Sequence, residues 1–128
     1  MKFLPVSEEK VWGKAMHLFA NDHAAVSLLE VKAGYHCSRH YHTYRANQFS
    51  VVSGRVVIEW TDKDGIQDNS IELGAGESFT VPSLVTHRFR VLESGVVIEV
   101  YWLDGPAGSV RLDDITRFDK GGLDNVES

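Results

Sequence analysis

The sequence is poor in everything that would cross-link it, divide it or carry it through a membrane. A single cysteine, Cys37, among 128 residues excludes an internal disulfide and a cluster of thiolate metal ligands. A secreted disulfide scaffold is thereby excluded, and a reducing cytoplasm is the expected compartment. The first ten residues hold no basic stretch followed by an apolar one, so no signal peptide is expected. Apolar runs such as 96–103 are far too short to span a bilayer, and that one contains Glu99. Basic runs are missing too. With 13 Lys and Arg against 18 Asp and Glu the net charge is −5, which argues against nucleic acid and against anionic membrane surfaces as partners. There is no G-x-S-x-G and no phosphate-binding loop, and Gly74-Ala75-Gly76 lacks the rest of a dinucleotide fingerprint. Nothing resembles a linker or an internal repeat, so one domain is expected, with its core over residues 9–118 and a flexible tail over 119–128.

Long helical periodicity is also absent. Residues 8–17 can hold a helical turn capped by Ser7, with Gly13 against it, and 112–118 read as a turn or short helix. What remains is a series of short, β-branched apolar segments at 25–32, 40–44, 48–52, 55–61, 70–73, 78–81, 87–92 and 96–103. Turn residues separate them, among them Ser53-Gly54, Asp64-Gly65 and Ser94-Gly95. Eight short strands with turns between predict an all-β sandwich or barrel of jelly-roll type.

Three of the six histidines cluster in His36-Cys37-Ser38-Arg39-His40-Tyr41-His42. Alternate residues of a strand face one way, so His40 and His42 would present two imidazoles to one metal ion. His87 is the natural third ligand, and Asn47 offers a carbonyl oxygen as a weak fourth. His17 and His23 read as surface or hydrogen-bonded histidines. The same alternation turns Phe49, Val51 and Phe89 inward, and Phe79, Val81 and Tyr44 complete the expected pocket. It places Cys37 away from the metal, as a small buried hydrophobe.

Spacing carries the argument further. Gly34, His40, His42, Asn47 and Gly54 form one series, and Gly76, Pro82 and His87 a second. The pair resembles the two motifs of the cupin superfamily, G-x5-H-x-H-x3,4-E-x6-G and G-x5-P-x-G-x2-H-x3-N. Asn47 stands where the motif has glutamate, Leu84 where it has glycine and Val91 where it has asparagine. Over residues 9–122 the chain also looks like the small mannose-6-phosphate isomerase type of cupin. Trp12-Gly13, the segment from Arg45 to Gly54, Val97-Ile98-Glu99-Val100 and Asp113-Asp114-Ile115-Thr116-Arg117-Phe118 carry that likeness. The resemblance implies a double-stranded β-helix, the jelly-roll cupin barrel, around a divalent metal ion.

Neutral imidazoles suit zinc, iron, nickel or copper, and manganese less well, so several metals stay open. Loss of the motif glutamate leaves the charge of such an ion uncompensated and strengthens it as a Lewis acid. Three functions follow. The first is a sugar or sugar-phosphate site of the isomerase kind, in carbohydrate metabolism. Its proton would be moved by Glu99, if its strand turns it inward, or by His36 at the pocket mouth. Arg39 falls on the wrong face to anchor a phosphate, and Arg45 lies near the motif. The second is a three-histidine ferrous dioxygenase, in which Tyr41, Tyr44 or Tyr101 would orient oxygen or supply a proton. The third is a cupin that binds a small molecule without turning it over. Ile58, Trp60, Val100 and Trp102, read as an apolar outer face, point to a homodimer.

Overall fold

The computed structural model describes residues 2, 4–62, 64–105, 108–111 and 113–124. Two long antiparallel strands organise it, β6 (Arg45–Thr61) and β9 (His87–Leu103), paired from Arg45 opposite Leu103 to Trp60 opposite His87. Each was expected as two strands. Ser53-Gly54 and Ser94-Gly95 turn out not to be hairpin turns but a pair of facing irregularities, with register shifts between Val51 and Val56. Gly54 has φ of 83°, and a Cβ on Gly95 would lie 2.1 Å from the Ser53 carbonyl oxygen. The strands therefore cross so closely there that only glycine fits, and the local bend lets the sheet curl.

On one side of this pair β6 continues to β7 (Asp68–Gly74) and β8 (Ser78–Val81). On the other, β9 pairs with β3 (Ala24–Val31), which continues to β2 (Gly13–Ala20) and β1 (Val6–Lys10). The helical turn expected at 8–17 is thus the β1–β2 hairpin. Gly13 takes φ of 146°, and a Cβ there would sit 1.8 Å from the Glu30 carbonyl oxygen, so its lack of a side chain serves sheet packing. Burial alternates from Gly13 to Met16, the period of a strand with one covered face.

Four two-residue strands close one end. β4 (Tyr35–His36) and β5 (His40–Tyr41) both lie on β9. From the C-terminal side β10 (Thr116–Arg117) pairs with β5 and β11 (Gly122–Leu123) with β4. No helix forms over the described part of 112–118; Leu112 lies outside the described residues. Nor is 119–124 a loose tail. Asp119 accepts the Arg39 amide at 2.6 Å, and the Asp124 amide donates to the Gly34 carbonyl at 2.7 Å. Residues 125–128 of the expected tail lie outside the described residues. Among the described residues all eleven strands belong to one antiparallel sheet, curled into a jelly-roll barrel.

The barrel is filled by Phe49, Val51, Val56, Ile58, Leu73, Val81, Val91 and Val97, each nearly devoid of exposure. Each contributes roughly 1.5–3 kcal/mol from removal of its side chain from water. Ile58 belongs to this core, not to an outer face, because its position on β6 points it inward. Trp60, Val100 and Trp102 are half-buried. Among the described residues no helix is long and apolar enough to cross a membrane.

Candidate metal centre

Three histidines meet at the end of the barrel closed by the short strands. His40 on β5 lies directly opposite His87 at the start of β9, and His42 follows one residue beyond β5. Their ring centroids are 4.5 Å apart for His40 and His87, 5.0 Å for His40 and His42, and 5.3 Å for His42 and His87. One nitrogen from each falls within 4.8 Å of the others.

The backbone decides which nitrogen. Nδ1 of His40 lies 2.7 Å from the Ser38 carbonyl oxygen, that of His42 2.7 Å from Asp114 O, and that of His87 2.8 Å from Val85 O. A carbonyl can only accept, so each Nδ1 carries the proton and each Nε2 keeps its lone pair. Nε2 of His42 and of His87 is buried without a partner. Burial holds all three rings neutral, pushing His40 down to about 3, His42 to about 2 and His87 to about 4. Unpaired lone pairs on neutral, backbone-oriented imidazoles are the donor set a divalent transition metal takes.

The loop before β9 shows what aims His87. Leu84 adopts φ of 66°, and its amide donates to the His42 carbonyl at 2.7 Å. That conformation costs an L-residue roughly 1–2 kcal/mol and glycine nothing. The backbone bond ties the His87 loop to the His42 segment.

Asn47 is fully buried on β6, opposite Tyr101 of β9. Its Nδ2 donates to Glu99 Oε2 at 2.8 Å, which leaves Oδ1 buried and unpartnered. Oδ1 is therefore the free donor of the amide, in keeping with a weak fourth ligand. Glu99 is turned inward, and the Tyr101 hydroxyl donates to its Oε1. Burial holds its carboxyl above the usual carboxylate range, against the two hydrogen bonds, and burial likewise pushes the Tyr101 phenol well up.

A cavity of about 350 Å³ opens beside the histidines. His40, His42, Phe49, Phe89, Glu99 and Tyr101 line it; His87 and Asn47 are buried and are not among its lining residues. Other expected pocket residues fall elsewhere. Val51 is core beneath the cavity. Phe79 and Val81 lie on β8, which has only β6 as a strand neighbour among the described residues, and they line a separate depression of about 180 Å³ with Trp60. Tyr44 is 46% exposed and covers Gly108, because the Asp114 carboxylate binds the amides of Thr43 and Tyr44 and turns the chain outward. His36 does not line the cavity. Residues 37–39 are not strand, so the alternation that aligns His40 and His42 does not reach back to it, and its Nδ1 lies 2.9 Å from Asp124 Oδ1.

Cys37 is buried as expected, with its thiol pushed up to about 12 by burial, and it lines the cavity. Arg45 also lines it, buried against the ring of Tyr101. Trp12 and Ala15 join Leu29 in this wall because 8–17 forms strands instead of a helical turn; the alternating pattern of 13–16 is the signal for it. The contribution of Ile115, Arg117 and Lys120 has no local signal at all.

Comparison with known proteins agrees with this architecture. The family described as Cupin domain matches residues 27–104. No curated protein matches the sequence. Among solved structures, oxalate decarboxylase from Bacillus subtilis superposes with a TM-score of 0.75 at 18% identity, over 89% of this chain and 30% of that one. The capsular polysaccharide assembling protein CapF from Staphylococcus aureus gives 0.71 at 18% identity, over 91% and 34%. This chain thus spans about a third of the length of either protein. At these identities the likeness is one of fold. The Bacillus enzyme is described as having Mn(II) centres.

Proposed function

The chain belongs to the cupin domain family, and on that footing we propose that it holds a divalent metal ion on Nε2 of His40, His42 and His87 with Asn47 Oδ1 beside them. Convergence of one ring nitrogen from each histidine within 4.8 Å, on rings whose Nδ1 atoms are each bound to a backbone carbonyl, carries this reading. The cavity next to it suits a small, oxygen-rich molecule, and the class we assign is a sugar or sugar phosphate handled in isomerase fashion. When bound, the ion would polarise a carbonyl oxygen of the ligand. Glu99 is the group that would take the proton from the hydroxyl-bearing carbon beside that carbonyl and return it to the carbonyl carbon, while the proton of that hydroxyl passes to the carbonyl oxygen. It faces the cavity, and its two hydrogen bonds, from Asn47 and Tyr101, steady the ionised form that must accept the proton. Phe49 and Phe89 keep that part of the cavity apolar. His36 has no part in this reading.

One observation favours a second reading, a ferrous dioxygenase: the cluster consists of neutral imidazoles, with no carboxylate among its three members. Elemental analysis of untagged protein beside a His40→Ala variant tests the common premise. Close to one equivalent of metal, lost in the variant, is expected. Exchange of the proton beside the carbonyl of an aldose into solvent would then support the isomerase reading. Iron with product formation that needs dioxygen would replace it by the second. Ligand binding without turnover would leave a binding cupin. A cytoplasmic location and a homodimer belong to the same proposal, and light scattering at low concentration tests the latter.

A further inference from the structure

Arg45 is a buried cation with no ion-pair partner among the described residues, although its charge reaches the Glu99 carboxyl. The residue is 3% exposed, its Nη1 donates to the Arg111 carbonyl, and the guanidinium lies 4.0 Å from the centre of the Tyr101 ring. Nε has no acceptor, and among the described residues no carboxylate forms an ion pair with the guanidinium. The three carboxyl side chains of the cavity are engaged elsewhere. Glu99 accepts from Tyr101 and Asn47, Glu8 pairs with Lys10 at 2.9 Å and His17 at 2.8 Å, and Asp119 accepts the Arg39 amide. A charge withdrawn from water without an opposite charge is unfavourable, and a bound anion removes the deficit. Two further cations, Arg117 and Lys120, reach the same cavity from the C-terminal strap, the described part of 111–124, and form no ion pair among the described residues.

We infer that Arg45 is an oxyanion anchor, and that the cavity takes a small ligand bearing a carboxylate or phosphate, which Arg117 and Lys120 draw in at the mouth. The guanidinium fork matches two oxygens of either group, and Tyr101 and the Arg111 carbonyl hold its plane in place. This rests on the cavity being the ligand site and extends it to the ligand's charge. It also gives the strap a task, because the Arg111 carbonyl that positions Arg45 lies beyond the 27–104 segment that defines the family.

The test uses the metal-free full chain. Inorganic phosphate and, separately, malonate are titrated while tryptophan fluorescence is followed, since Trp12 lines the cavity. Saturable binding of at least one anion is expected, weakened about tenfold or more in Arg45→Met and by a smaller factor in the Arg117→Ser/Lys120→Ser double variant. The double variant changes only exposed residues and carries the test if Arg45→Met does not fold. Binding of phosphate alone names a phosphorylated ligand, and binding of malonate alone a carboxylate. No binding of either anion, or binding undiminished in the variants that fold, overturns the anchor. Metal content of the same preparations separates the two proposals. A chain that carries metal and ignores both anions loses the anchor and keeps the metal site; one that binds an anion through Arg45 and takes no metal does the reverse.

Discussion

Acidification of the metal-free protein should expose the cost of three buried neutral histidines. His40, His42 and His87 titrate in the fold at about 3, about 2 and about 4, against an ordinary value of 6.5. As pH falls from about 7.5 to about 5 the unfolded chain takes up a proton at each, and the folded chain does not. Stability present above 6.5 is therefore lost as the pH drops below it. The loss is about 2 kcal/mol for each histidine at about pH 5, and about 6 kcal/mol for the three. It depends only on the folded values lying below that pH. Glu99 works the other way, because a carboxyl raised in the fold keeps its proton where the unfolded chain gives it up. Its contribution over this range is at most about 3 kcal/mol, so the wild type should lose about 3 kcal/mol or more. Glu99→Gln removes that offset and should lose nearly the full amount. Urea unfolding at the two pH values measures both, the midpoint moving by roughly 2–3 M in the variant if the slope is about 2 kcal/mol/M. A midpoint that stays put in both proteins would refute the picture of three neutral, desolvated imidazoles.

Other consequences are simpler to score. Phe49→Ala removes a ring that floors the cavity and fills the barrel, and should cost about 3–5 kcal/mol in chemical denaturation. Gly13→Ala drives a methyl group onto the Glu30 carbonyl and should cost at least about 3 kcal/mol, seen as a lowered unfolding midpoint. Cys37 should react with a thiol reagent at about pH 8 several hundredfold or more slowly than a free cysteine, and at the ordinary rate once urea unfolds the chain.

Patterns of near neighbours were legible in the sequence. The strand segments, the two glycine–histidine spacings and the inward set Asn47, Phe49 and Val51 follow from a two-residue period and from turn chemistry, and both are local. His40 and His42 are paired by that period, and His87 follows from the second motif. Where the period was interrupted the reading failed: His36 lies across the non-strand residues 37–39, and Tyr44 beyond the point where Asp114 bends the chain.

Tertiary structure alone decided the rest. Nδ1 of His42 is held by the Asp114 carbonyl, 72 residues away, whereas His40 and His87 use the carbonyls of Ser38 and Val85, two residues back in the chain. The Asn47 oxygen is left free because Glu99, on another strand, accepts a hydrogen bond from its amide nitrogen. Arg45 and Arg111 meet across 66 residues, and nothing in either segment announces it. Side-chain type and spacing determine which groups are available to a site. Which lone pair of His42 and Asn47 is free, and which charge lacks a partner, depends on groups brought together by folding from segments with no local relation to one another.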